Sequence, residues 1–172
     1  MYKSFFILLN DYFLTVRKYA IFDILLPFIT ALFCGYLISK NLLDINKDFL
    51  SNILNVLGII AGFSITSVSL LATSDSENIN KLKNKKTKIT VDGLEISAFR
   101  RFYILISYSV FISFVAILIN VIGYLIPWYK IISSSFIVVL KSLNLWLIFH
   151  IFFLNIRNIT SLYFVYFQET SK

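Results

Sequence analysis

The chain has 172 residues, 58% of them hydrophobic and only 15% charged, with a net charge of +7. A soluble domain is nearer half apolar and a quarter charged, and a disordered chain needs low hydrophobicity, so both classes are excluded. One Cys and one His exclude an internal disulfide and a structural zinc site, which needs about four ligands.

The length fits one membrane domain, residues 1–172. Residues 1–18 alternate Phe, Leu and Tyr with Lys, Asn, Asp and Arg. They read either as an interfacial helix on the inner leaflet or as an extension of the first spanning helix. The early apolar run 5–9 is short, and Asn10-Asp11 follows without a small-residue cleavage site, so no cleavable signal is expected. Spanning segments need about 20 apolar residues. They are expected over 19–39, 49–73, 102–126 and 132–167. Helices are expected because lipid cannot satisfy exposed backbone groups. The predicted fold is all-α integral membrane: a four-transmembrane-helix bundle with a small cytoplasmic helix and a β-hairpin inserted between the second and third spans.

Basic residues set the predicted orientation. Lys3, Arg17 and Lys18 precede the first span, and seven Lys or Arg lie in the 74–101 loop. The other two loops hold Lys40 with Lys47, and Lys130. Both termini and the 74–101 loop are therefore expected in the cytoplasm, with Trp128 and Tyr129 at the outer interface. The last segment, 132–167, has 36 residues, or roughly 54 Å as a helix against a core of about 30 Å. With no Pro or Gly inside it, protrusion into the cytoplasm is expected.

In the first span, Asp23, Pro27, Thr30 and Cys34 share a face. Asp23 is close enough to the boundary to reach the headgroups, Pro27 permits a kink, and Cys34 reads as a packing residue. In the second span Asn55, Gly58, Gly62, Thr66, Ser69 and Thr73 are spaced +3, +4, +4, +3, +4, which puts them on one helical face. Gly58 and Gly62 form a GxxxG pair. This stripe is either a helix seam inside one subunit or a pore-lining face. Ser109, Ser113, Ala116, Asn120 and Gly123 of the third span share a face expected to pack against the second.

In the fourth span, Lys141 lies about 14 Å along a helix that starts at Ile132, an expensive place for a charge. Asn144, Asn155 and Asn158 approximately share its face. Either Lys141 snorkels outward or it belongs to an interior polar stripe, where a basic ring would favour anions. His150, among Leu, Ile and Phe, reads as a buried histidine in an aromatic layer.

In the 74–101 loop, Ser74 and Glu77 resemble a capping box for a short helix over 75–86. The run from Lys88 to Ser97 carries Asp92-Gly93 between β-formers, a hairpin signal. Lys81, Lys83, Lys85, Lys86, Lys88, Arg100 and Arg101 face four acids in the loop, a net of +3. They serve either the positive-inside rule and anionic lipid or an anion site for a nucleotide or oligonucleotide. No Gly-rich phosphate loop is present.

The run Gly58-Ile-Ile-Ala-Gly-Phe-Ser-Ile-Thr-Ser-Val-Ser-Leu-Leu-Ala-Thr73, followed by a Lys-rich segment, resembles small multi-pass membrane subunits of bacterial anti-phage defence systems of Kiwa-like, Hailong-like and CRISPR-accessory type. The resemblance covers spans two and three and their loop, at the level of class. It implies a protein that oligomerises and either permeabilises the membrane or recruits a cytoplasmic partner under the control of a ligand.

Two functions follow as expectations. One is a homo-oligomeric channel-like effector of the bacterial inner membrane, a tetramer by preference, gated from the cytoplasm by a nucleotide, oligonucleotide or partner at the basic loop. The other is a membrane-anchored sensor or scaffold that recruits a cytoplasmic defence protein. No carboxylate pair, metal cluster or activated nucleophile is legible, so neither an enzyme nor a cofactor is expected.

Overall fold

The computed structural model describes residues 2–74, 77–91, 93–127 and 130–167. In chain order they form α1 (Tyr2–Val16), α2 (Leu26–Ser39), α3 (Lys47–Thr73), α4 (Glu77–Asn84), β1 (Lys86–Val91), β2 (Leu94–Ser97), α5 (Ala98–Leu125) and α6 (Ser134–Phe167). A 3-10 turn, Arg17–Tyr19, and a π-helical turn, Ile21–Leu25, lead from α1 into α2. Among the described residues, four helical stretches are long and apolar enough to cross a membrane: Ile21–Ser39, Lys47–Thr73, Ala98–Leu125 and Ser134–Tyr163.

Local chemistry sets the helix ends. Asn41 has φ +56, and Leu42 N–H reaches back to the Leu37 carbonyl at 2.9 Å, so α2 closes on a left-handed asparagine. Asn46 caps α3 by accepting from Phe49 N–H at 2.9 Å. Ser97 caps α5 by accepting from Arg100 N–H at 3.1 Å. That cap starts α5 four residues before the predicted boundary, so Arg100 and Arg101 lie in a helix and not in the loop. α4 is shorter than the predicted 75–86. Ser74 closes α3 in an extended conformation, with its N–H on the Leu70 carbonyl. Residues 75–76, which fall inside the predicted capping box, lie outside the described residues, as do Trp128 and Tyr129.

The hairpin turns where the sequence places it. β1 and β2 are antiparallel, with Val91 opposite Leu94. Gly93 has φ +78, a conformation glycine adopts without strain; Asp92 lies outside the described residues. A two-stranded hairpin is marginal in water. This one is supported on one face, where Val91 and Ile96 are buried in a cluster with Tyr12, Val16, Leu105, Tyr108 and Leu154. The support comes from α1, α5 and α6.

The long helices pair differently from a sequential bundle. α2 packs along α6, α5 packs along α6, and α3 packs along α5. α2 and α3, consecutive in sequence, do not run along one another. They flank the central α5–α6 pair, and α3 is left with an uncovered outer face. At the α2–α6 seam the helices approach so closely that a Cβ on Gly35 would collide with Ser142 Oγ.

Candidate functional site

A buried polar cluster joins α1, the π-helical turn, α5 and α6. Asp23 lies in that turn and is completely inaccessible. It does not reach toward headgroups as the sequence suggested; its carboxylate is taken up inside the protein. Arg157 Nη1 donates to Asp23 Oδ2, forming a buried ion pair. Tyr12 hydroxyl donates to the same oxygen at 3.2 Å. Asp23 Oδ1 and Arg157 Nε and Nη2 have no hydrogen-bond partner among the described residues. The pair is therefore held through one oxygen and not as a two-pronged fork.

The backbone takes part as well. In an α-helix the N–H of residue 27 would bond the carbonyl of residue 23, but Pro27 has no N–H. The Asp23 carbonyl accepts from His150 Nδ1 at 2.5 Å. A carbonyl only accepts, so Nδ1 carries the hydrogen, and in the neutral ring Nε2 is an acceptor. Tyr108 hydroxyl lies 3.0 Å from Nε2 and supplies the donor. The Tyr108 ring stacks on Tyr12 at 3.5 Å between centroids, and Trp146 stacks on His150. Burial pushes the Tyr12 phenol above its ordinary pKa, and the Asp23 carboxylate adds to that, so the hydroxyl stays protonated and keeps donating.

Sequence reasoning passed over Arg157 and over the reach of α1. The available signal was helical spacing: His150, Leu154 and Arg157 lie on one face of α6. Asp23 was also the sole acid among the residues that form the four spans' apolar interior. With a single carboxylate against a single guanidinium, the cluster is built to bind elements together. Among the described residues, no group of three or more His, Cys, Asp or Glu is placed to hold a metal.

A second polar set is closed. Ser64 and Ser109 both donate to Asn155 Oδ1 at 3.2 Å. Asn120 and Asn144 exchange reciprocal amide bonds at 3.1 and 3.0 Å. Ser109, Ser113, Ala116 and Asn120 are fully buried, against α3 and α6. Lys141 leaves the face of the three asparagines: its Nζ lies 3.0 Å from Asp44 Oδ1 in the loop between α2 and α3. Its charge is thus met at the end of the molecule away from the hairpin, while Asn144 and Asn155 bond inside the bundle.

The α3 stripe is open. Asn55, Gly58, Gly62, Thr66, Ser69 and Thr73 are all exposed, and a Cβ added at Gly58 or Gly62 would meet nothing within 4 Å. The buried side of the helix is Leu57, Ala61, Ser64 and Leu71. A seam within the subunit, one of the two expectations, is not what the stripe forms. Thr66, Ser69 and Thr73 return their hydroxyl hydrogens to carbonyls one turn back, leaving oxygen lone pairs outward.

The seven loop bases have different surroundings. Lys81 pairs with Glu77 at 3.1 Å, Lys83 stands over the Phe99 ring, Arg100 reaches Asp11 at 3.7 Å, and Arg101 stands over Tyr19. Lys85, Lys86 and Lys88 are exposed, the last two on the outer face of β1. No family model, curated protein or solved structure matches this chain.

Proposed function

We propose that this protein is a homo-oligomeric, channel-like protein of the bacterial inner membrane, with its termini and hairpin in the cytoplasm. One observation carries the reading: the two glycines, three hydroxyl-bearing residues and one asparagine of the α3 stripe are all exposed on a helix that is apolar enough to span a membrane. In lipid, small and hydroxyl side chains favour close helix contact or water over acyl chains. A second copy and an aqueous path between copies supply both, and closed symmetry is the usual solution; four copies is our preferred number. Exposed Lys85, Lys86 and Lys88 at the cytoplasmic end offer the charge for a controlling nucleotide, oligonucleotide or protein.

Ion flux through liposomes carrying the purified protein tests this. Flux that short oligonucleotides or nucleotides switch, and that Gly62→Leu abolishes, is expected. No flux under any condition sinks the channel reading. The weight would then pass to the second reading, a membrane anchor for a cytoplasmic protein, which the outer basic face of the hairpin favours. The likeness of Gly58–Thr73 to anti-phage membrane subunits supplies the physiological setting we propose, defence against phage. Phage challenge of cells with and without the gene tests that setting.

A further inference from the structure

α1 turns a mostly apolar side outward, unlike a helix on a water-facing surface. The side it turns to the protein carries Asp11, Tyr12, Thr15 and Val16, all buried, with Leu8 and Leu9 packed against the same core. Asp11 and Tyr12 are engaged there, by Arg100 and Asp23. The side it turns outward carries Phe6, Ile7, Phe13 and Leu14, all exposed. Water would select a polar outward side.

Its position fits the same reading. Tyr12 stacks on Tyr108, ten residues into α5 or about 15 Å along it. The Phe5 ring lies 5.5 Å from Phe111, three residues further in. The N-terminal part of α1 therefore slants along α5 toward the middle of that span. At the other end, exposed Arg17 lies where α1 gives way to the first spanning stretch, and the exposed faces of Ile21 and Phe22 continue the apolar surface.

We infer that α1 is half-inserted in lipid, with Arg17 on anionic headgroups, Phe13 below them and Phe6 slanting deeper into the hydrocarbon. Three observations carry this: the apolar outward side, the continuity with the outward face of the first span, and the positive charge at the end nearer water. In this place α1 also separates the Asp23–Arg157 pair from lipid, because its Tyr12 is the residue that closes over Asp23. The inference rests on the four long helices being membrane spans.

The test is fluorescence of an environment-sensitive probe on single cysteines, in a Cys34→Ser background, in liposomes of phosphatidylcholine and phosphatidylglycerol. Probes at Phe6→Cys and Phe13→Cys are expected to be quenched several-fold more by lipid spin-labelled on its acyl chain than by aqueous iodide. A probe at exposed Phe33→Cys, inside the first span, reports on insertion itself. If Phe33 is quenched by lipid while Phe6 and Phe13 respond to iodide, α1 faces water and the inference is overturned with the spans intact. If Phe6 and Phe13 respond to neither quencher while Phe33 does, protein covers α1 and the inference is equally overturned. If lipid fails to quench Phe33, the membrane reading falls and takes the inference with it.

Discussion

Gly35 on α2 and Gly62 on α3 are both glycines in apolar helices, and the structure uses them in opposite ways. Gly35 is buried, and Ser142 of α6 occupies the space a Cβ would need. Gly62 is exposed and touches nothing within 4 Å. At the α2–α6 seam the space beside the glycine is filled within one chain, and the nearby buried carboxylate is paired. The α3 outer face is unfinished. Small residues in a membrane helix say that something comes close; only the fold says whether that something is already present.

The largest expected effect is on the α2–α6 side. Removing Arg157 leaves Asp23 as a buried charge without its cation, and breaking such a pair costs about 3–5 kcal/mol. Arg157→Leu should therefore lower the thermal unfolding midpoint in detergent more than any change on the α3 stripe. An unchanged midpoint would mean that the pair does not hold the elements together.

Next comes the direct contrast. Gly35→Leu forces α2 and α6 apart, an overpacking cost of about 1–3 kcal/mol. Gly62→Leu should leave the midpoint of the single chain nearly unchanged while it changes assembly. Equal destabilisation by the two substitutions would erase the distinction between the sides. A smaller effect is expected for Asn120→Ala, which breaks the reciprocal pair with Asn144; interhelical hydrogen bonds of this kind are worth about 0.6–2 kcal/mol. The smallest belongs to Lys141→Gln. Its partner Asp44 is largely exposed, so about 0–1 kcal/mol is expected, fading with added salt.

Tyr12 gives a prediction in pH. Its folded pKa lies above the ordinary value of about 10, so the unfolded chain loses the proton first as pH rises. The contribution is complete below about pH 10 and is lost as pH climbs above it. Unfolding midpoints measured upward from neutral pH should stay level and then fall, and Tyr12→Phe should make that fall shallower. An identical fall in the variant would remove Tyr12 as its source.

Much of this was legible in the chain. Hydropathy placed the four long helices to within a few residues, because a run of about 20 apolar residues is a strong signal. Asp92-Gly93 placed the hairpin turn, because few residues tolerate the backbone of a tight turn. What escaped were features set by distant neighbours. Asp23 and Arg157 are 134 residues apart, and no local pattern joins them. Periodicity gathered Asn55 through Thr73 onto one face, yet could not say which face of α3 the rest of the chain covers. Lys141 was legible as an expensive charge, but its partner Asp44 sits in a loop whose path follows from the left-handed turn at Asn41.

The central claim is that the α3 stripe is completed by another copy of the chain. The most direct measurement is the mass of the particle in native lipid discs, for the wild type and for Gly62→Leu. The account predicts a multiple of 19.9 kDa for the wild type and a folded single chain for Gly62→Leu. A wild-type protein that is a single chain, or a Gly62→Leu protein that assembles just as the wild type does, would contradict it.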